Sequence, residues 1–408
     1  MKVNFIKKGS LTWIGLIFIA YITLIECDNK PLFLYGGYVV TIGCTVLSFL
    51  MSGKLNKIHI TAPCVMLIIF TMYCFAGQSW AWDETLVATQ FRLILVAVIM
   101  VVIMTNYFIM KDSADAILYA IAMAGVVLSL YVIVSYGGLS NFYEQASLGT
   151  ERLGSDIKNV NSIGVHCAYS AAVLMYFAVF RKKYICFFVM LLPIIVAIAS
   201  ASRKALILLI VGAIMVVLLS QKDKRGVINF FRLLILLVIV YYIFIQVMKL
   251  PIMGNVQERM EMFFNAMSGK TSMADGSSLI RKRMIEVGLN QFSKTPFLGI
   301  GLGNSAKLNV REIGFDAYSH NDYIEHLVNG GIIGFCLYYG AVALLLKKHI
   351  HILLHNRKNT TVAISFILII MQLVANMASV TYYGSLSTYV FFILWITVVY
   401  GNSKKQEM

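Results

Sequence analysis

The chain has 408 residues, of which 59% are apolar and only 13% are charged. That is too little charge to cover a soluble globule of this length, so a membrane protein is expected. The apolar residues come in blocks of about 17 to 25, the length of a helix that crosses the hydrocarbon layer. This pattern excludes a soluble enzyme, an outer-membrane barrel and a disordered chain. The formal net charge of +15 comes mainly from Lys and Arg between the blocks, so it indicates topology rather than nucleic-acid binding.

Twelve transmembrane helices are predicted along the chain. They cover residues 11–27, 32–52, 58–77, 85–105, 115–136, 162–180, 184–200, 204–220, 231–250, 321–346, 360–379 and 386–401. Alternate connections are basic, and the positive-inside rule assigns them, with both termini, to the cytoplasm. These connections include Lys54 and Lys57, Lys111, Arg181 to Lys183, Lys347, Lys348 and Arg357. We therefore expect an all-α polytopic membrane protein.

The expected domain organisation is set by one long outward connection. Helices 1–9 occupy residues 1–250, one large extracytoplasmic loop occupies 251–320, and helices 10–12 occupy 321–408. A loop of about seventy residues is longer than structureless connections usually are, so it is expected to be folded and to contain short helices.

The centre of this loop, residues 277–292, reads as an amphipathic helix. On a helical wheel, Arg281, Ile285, Gly288 and Phe292 share one stripe, so Arg281 is expected to face the membrane domain. The glycine-rich run 299–303 follows Pro296. It predicts a turn, because a nucleotide-binding loop would follow a strand.

Ionisable side chains at membrane depth are costly, so each one is a candidate for function. Arg203 lies at an outward turn between two closely joined helices, where it either binds a ligand or extends to the membrane interface. Arg92 lies about two turns inside the fourth helix, with an internal pair or a ligand role as its alternatives. Arg152 and Lys158 lie in the first long outward loop, where Lys158 is expected to be solvated.

The densest polar cluster, residues 318–326, opens the tenth helix. Ser319 or His320 is expected to begin that helix. Its next polar residues share one face, which suits the wall of a cleft: Asp322, Glu325, His326 and Asn329. His320 is either a functional residue or a capped interfacial histidine, whereas His326 is expected to bond to Asp322. Small residues predict close approach by another helix: Gly330, Gly331 and Gly334.

These residue types indicate a reaction. Arginines beside a helix N-terminus form an anion site, because a guanidinium group can bond two phosphate oxygens at once. A histidine near a helix N-terminus is favoured in its neutral form, which can accept a proton. The pattern predicts displacement of a phosphorylated leaving group by a hydroxyl. No cofactor or metal site is predicted, since the seven cysteines are scattered without zinc-ligand spacing.

The chain resembles the O-antigen ligase and polymerase family, the Wzy/WaaL group of polytopic membrane glycosyltransferases that carry a Wzy_C region. The matching motifs are Ser202-Arg203 at a helix turn, Arg281 followed by Pro296 and the glycine run, and Ser319-His320-Asn321 leading into Gly330-Gly331. Arg152-Leu153-Gly154 with Asn161 is similar to a weaker element. The resemblance covers roughly residues 150–345, and the first four helices match only in hydropathy.

The resemblance implies a multi-pass protein of the bacterial inner membrane, with its active site on the periplasmic or extracellular face. The implied donor is an oligosaccharide on undecaprenyl diphosphate. Arg203 and Arg281 would bind the diphosphate, and Arg152 and Asn321 would be further substrate contacts. His320 would orient or deprotonate the acceptor hydroxyl for an inverting glycosyl transfer that needs no metal or cofactor.

The acceptor distinguishes the two main activities of such enzymes. A polymerase of O-antigen or capsule transfers to another lipid-linked repeat, whereas a ligase transfers to lipid A-core during lipopolysaccharide synthesis. The runs Ser319 to Tyr323 and Asp275 to Ser278 look more like polymerases, for which a chain-length regulator protein is a further expected partner. The non-enzymatic alternative is a flippase of lipid-linked oligosaccharide. It is disfavoured because a transporter's site is expected near the midplane of the membrane.

Overall fold

The computed structural model describes residues 58–110, 114–148, 159–220, 276–356, 359–383 and 386–403, with a few single positions between these ranges. All regular secondary structure in these ranges is helical, which confirms the predicted fold class. The helices are α1 (Ala62–Ala76), α2 (Glu84–Met110), α3 (Ala114–Ser135), α4 (Leu139–Leu148), α5 (Val160–Phe180), α6 (Ile185–Val189), α7 (Leu191–Ala199), α8 (Arg203–Ser220), α9 (Gly276–Lys294), α10 (Ser305–Ile313), α11 (Asp322–His355), α12 (Thr360–Asn376), α13 (Leu386–Ile393) and α14 (Trp395–Ser403). The predicted helices at 11–27, 32–52 and 231–250 lie outside the described ranges, so the count of twelve and the domain boundaries stay predictions.

Five of the described helices are long and apolar enough to cross a membrane: Ala62–Ser79, Glu84–Ile109, Asp115–Ser135, Val160–Phe180 and Asp322–His355. Three shorter apolar helices accompany them, at Ile185–Ala199, Thr360–Asn376 and Thr388–Val399. Each falls on a predicted span, so hydropathy located the spans of this part of the chain well. Hydropathy did not predict the interruptions within spans. The predicted span 184–200 is divided into α6 and α7, and the predicted span 386–401 is divided into α13 and α14. The predicted outward loop 137–161 also contains a helix, α4.

Hydrogen bonds place two of the described connections at opposite ends of the bundle. At one end, Arg181 after α5 donates to the Asp115 carboxylate at 3.1 Å and to the Thr361 hydroxyl at 3.0 Å. These bonds join the starts of α3 and α12. At the other end, the Trp82 amide donates to the Ile300 carbonyl before α2 begins. The segment 276–321 therefore lies at the end opposite the basic connection at Arg181.

The helix α11 is broken at Gly331, whose backbone angles are φ 59° and ψ −166°. The Tyr339 hydroxyl donates to the Asp322 carboxylate at 2.8 Å. In a straight helix the Cα atoms of these two residues would be about 25 Å apart. Residues 322–330 therefore fold back along residues 332–355. The prediction of one continuous span over 321–346 was wrong on this point, because hydropathy does not register a change of direction.

The break leaves backbone groups without helical partners, and the loop 296–301 supplies most of the replacements. Before the break, the Ile300 and Gly301 amides donate to the Val328 and Asn329 carbonyls, respectively. After the break, the Ile332 and Ile333 amides donate to the Pro296 and Phe297 carbonyls, respectively. The Tyr73 hydroxyl donates to the Gly330 carbonyl. Backbone groups in an apolar setting must be paired inside the protein. This pairing fixes the loop that follows α9 against α11.

Gly330, Gly331 and Gly334 of α11 do not all serve the helix-to-helix contact that their spacing predicts. Gly334 does meet a helix, since its position faces the Tyr73 ring of α1. Gly331 instead lies against the backbone of Phe297 and Leu298, in the turn that follows α9. Its small size is therefore needed for the close approach of a loop.

We predict that Gly331→Ala destabilises the protein. Its backbone conformation is one that only glycine adopts readily, at a cost of about 1–3 kcal/mol for other residues. An alanine Cβ would also lie 2.3 Å from the Phe297 carbonyl oxygen. Thermal unfolding of the detergent-purified protein, followed by size-exclusion chromatography, measures the loss.

Gly330→Ala is the matched control. Gly330 adopts an ordinary helical conformation, and the nearest atom to its added Cβ is 3.7 Å away on the Tyr73 ring. This variant should unfold close to the wild-type temperature. Equal stability of the two variants would contradict the broken helix.

Candidate functional site

His320 lies in the turn immediately before α11. The residue is half-buried, has a left-handed backbone with φ 56°, and places its ring 4.4 Å from the Tyr318 ring. The helix was predicted to begin at Ser319 or His320, but its N-cap is Asn321, one or two residues later. The Asn321 side-chain oxygen accepts from the amides of Tyr323 at 3.1 Å and Ile324 at 3.2 Å.

Cationic side chains from two helices meet beside this turn. The Arg203 guanidinium, at the first position of α8, donates to the Ser278 hydroxyl of α9 at 3.4 Å. Arg281 follows Ser278 by one helical turn, and both Arg281 and Lys204 act electrostatically on His320. The structure thus brings together Arg203, Arg281 and His320 from three separate predicted motifs. Arg152, the remaining predicted substrate contact, lies outside the described residues.

The amphipathic helix predicted over 277–292 is present as α9, and its faces are as the wheel predicts. Gly288 is buried and Arg281, Ile285 and Phe292 are half-buried, whereas Lys282, Glu286 and Asn290 are exposed. Gly288 allows close contact with Ile324 of α11. Arg281 therefore faces inward, toward the turn that carries His320. The predicted glycine turn is also present, with positive φ at Gly299, Gly301 and Gly303.

His320 is held in its neutral form. Burial, together with the positive charges of Arg281 and Lys204, lowers the pKa of its imidazole to about 4. The sequence predicted a neutral imidazole but attributed it to the helix dipole. The main causes in the structure are burial and the two neighbouring cations. At neutral pH the ring can accept a proton.

Two buried acidic residues, Glu325 and Asp322, hold the turn at His320 in place. Glu325 accepts from the Ser319 amide at 2.9 Å, the Tyr383 hydroxyl at 2.6 Å and the Ser305 hydroxyl. Asp322 accepts from the Thr381 amide and the Tyr339 hydroxyl, both at 2.8 Å. Both residues are fully buried. The polar stripe predicted as a cleft wall is therefore an internal anchor that joins α10, α11 and the segment before α13.

His326 lies deeper, and its predicted bond to Asp322 is not formed. Its Nε2 atom is 3.6 Å from the Asp322 carboxylate, which is too long for a hydrogen bond. The imidazole stacks on the Tyr382 ring, with 3.6 Å between ring centres. It also lines a small cavity with Trp80 and Tyr382, and none of Arg203, Arg281 and His320 lines that cavity.

The cluster of Arg203, Lys204, Arg281 and His320, hereafter the cationic cluster, can bind an anion and accept a proton beside it. Sequence reasoning did not propose Lys204 as a site residue, although it directly follows Arg203. It also assigned Glu325 to the wall of a cleft and did not predict its anchoring role. The signal for Glu325 was its place in the polar stripe, five residues after a candidate catalytic histidine. The donors that it binds could not be predicted, because most of them come from other parts of the chain.

Residues 188–339 match the Wzy_C family model, which is described as O-antigen ligase. The matched segment runs from α6 into α11 and contains every member of the cationic cluster. No curated protein matches the chain.

We predict that Glu325→Gln impairs the turn at His320. The side-chain amide offers one acceptor oxygen where the carboxylate offers two, so at least one buried donor loses its partner, at a cost of about 1–3 kcal/mol. The unfolding temperature should fall, and proteolysis should begin in the 305–325 segment. Glu312→Gln is the matched control, because Glu312 is exposed on α10. Equal behaviour of the two variants would exclude the anchoring role.

We also predict a pKa of about 4 for His320, measured as the ¹⁵N-histidine NMR signal that disappears in His320→Gln. Lys204→Met should raise this pKa, because a neighbouring positive charge opposes protonation of the ring. Lys282→Met removes an exposed cation from the outer face of α9 and should leave the pKa unchanged. A titration near the ordinary value of 6.5 in the wild type would refute the buried, cation-flanked environment.

Proposed function

Since the chain belongs, through residues 188–339, to the O-antigen ligase/polymerase family, we propose that it is a membrane polysaccharide polymerase. It transfers an oligosaccharide from undecaprenyl diphosphate to the hydroxyl of another lipid-linked repeat. The observation that carries the proposal is the meeting of Arg203, Arg281 and a neutral His320 at one end of the bundle.

The cationic cluster binds the diphosphate of the donor. Guanidinium groups bond phosphate oxygens in pairs, and their fixed positive charge stabilises the negative charge that develops on the leaving diphosphate. Arg203 is held toward α9 by its bond to Ser278. Lys204 adds a third positive charge. Arg152, from the preceding loop, is proposed as a further contact.

His320 acts as the base. The acceptor hydroxyl oxygen forms a bond to the anomeric carbon while the bond from that carbon to the diphosphate oxygen breaks. The hydroxyl proton passes to the imidazole, and undecaprenyl diphosphate leaves with the electron pair. A single displacement of this kind inverts the anomeric configuration and is metal-independent. Asn321 is proposed to contact the substrate through its side-chain amide nitrogen, because its side-chain oxygen caps α11.

The site is proposed to face the periplasm or the extracellular space. The charge pattern assigns the connection that contains Arg181 to the cytoplasm. The cationic cluster lies at the opposite end of the bundle. Lipid-linked repeats presented in the outer leaflet reach that end directly. A chain-length regulator protein is proposed as an additional partner.

A second candidate function is ligation of a finished glycan to lipid A-core. The description of the matched family, O-antigen ligase, favours it. The proposed chemistry at the cationic cluster is the same for both activities, since only the acceptor differs.

The test is incubation of the purified protein with undecaprenyl-diphosphate-linked repeat and no other acceptor. We expect a ladder of longer saccharides on a gel. Product only after addition of lipid A-core would establish the ligase instead. Donor binding without product in either case would refute an enzyme and favour a flippase.

Variants connect the assay to the site. His320→Ala should abolish the ladder while the protein stays folded. Arg281→Lys should reduce donor affinity and rate, because lysine keeps the charge but cannot bond two oxygens in the same way. Arg283→Lys is the matched control on the same helix, since Arg283 is exposed and pairs with Glu286. Unchanged activity of Arg281→Lys would refute a two-bond phosphate contact at that position.

A further inference from the structure

Arg92 is an unusual charge in an apolar helix. It and Glu84, the first residue of α2, are the only ionised side chains in that 27-residue helix. The sequence left two roles open for Arg92, an internal pair or a ligand contact. In the structure Arg92 is exposed, and among the described residues it makes no hydrogen bond, ion pair or ring contact. An internal pair is therefore not formed within this part of the chain.

Arg92 points away from the helix bundle. At about 100° per residue, it lies within about 60° of three exposed apolar side chains, Leu95, Val96 and Ile99. The buried residues Val87, Ile94, Val98 and Val101 lie at least about 120° away around the same helix. Arg92 thus lies in the middle of an exposed apolar surface of α2, the kind of surface that faces lipid in a membrane protein.

The depth of Arg92 suits a lipid headgroup. Its Cα atom is eight residues, about 12 Å, from the start of α2. Long side chains on a helix lean toward the N-terminal end, so the guanidinium extends back toward that start. Trp80 and Trp82 lie in the connection just before α2, and tryptophan is enriched at the level of the membrane interface. The charge therefore reaches the polar layer at the end of the bundle where His320 lies.

We propose that Arg92 binds the phosphate of a bilayer phospholipid. A charged group on a lipid-facing surface is costly, and a lipid phosphate offers opposite charge and two oxygens that match the guanidinium fork. Leu86 and Gln90 of α2 contact the glycine turn at Gly303. Arg92 lies at least about 120° away from both residues around the helix, so it faces away from that turn. The lipid that it binds therefore comes from the surrounding bilayer. This site is separate from the proposed diphosphate clamp.

The test is native mass spectrometry of the purified protein titrated with phosphatidylglycerol. We expect Arg92→Gln to bind at least one lipid about tenfold more weakly than wild type, the loss expected for a charge-assisted pair of hydrogen bonds. Arg92→Lys should fall between them. Arg283→Gln, which removes an exposed arginine from α9, is the matched control and should bind like the wild type. Because Arg92 has no partner among the described side chains, the variants are expected to elute as folded protein.

Equal phosphatidylglycerol affinity for Arg92→Gln and the wild type would overturn the proposal. A parallel titration with undecaprenyl diphosphate that carries no sugar identifies the alternative. If Arg92→Gln weakened binding of that lipid alone, the arginine would belong to the path of the substrate.

Discussion

The break in α11 at Gly331 is the constraint on which the rest of the site depends. Interrupting a helix inside an apolar bundle frees carbonyl and amide groups that have no water to bond. The loop 296–301 pairs with them on both sides of the break. Because that loop directly follows α9, the pairing also fixes the C-terminal end of the helix that carries Arg281. The position of a cation is thus determined by the backbone requirements of a neighbouring helix.

The folded-back half of α11 explains why two carboxylates are buried beside a candidate catalytic histidine. An unpaired buried charge is strongly unfavourable, and the donors around Glu325 and Asp322 offset that cost. These donors come from α10, from the turn at Ser319 and from the segment before α13. A carboxylate with so many partners holds separate segments in one geometry. His320 can therefore occupy a left-handed backbone conformation in a defined place.

Particular residues show how far sequence could predict this arrangement. The inward face of α9, the arginine turn at Arg203 and the glycine turn at 299–303 were all predicted, because each follows from local periodicity or turn chemistry. The break at Gly331 was not, since glycine is tolerated within membrane helices and hydropathy averages over it. The burial of Glu325 was also missed. A helical stripe shows which residues share a face, but the segments that cover that face come from elsewhere in the chain.

The proposed function gives the cations near His320 two successive effects. Before the donor binds, burial and the charges of Arg281 and Lys204 oppose protonation of the imidazole and keep its pKa near 4, which makes it a weak base. A bound diphosphate brings negative charge that compensates these cations, so the pKa of His320 rises toward the working pH. A base is most effective when its pKa is close to that pH. Under the proposed function, the bound donor makes the histidine basic enough to accept the hydroxyl proton, because its diphosphate compensates the cations that oppose protonation.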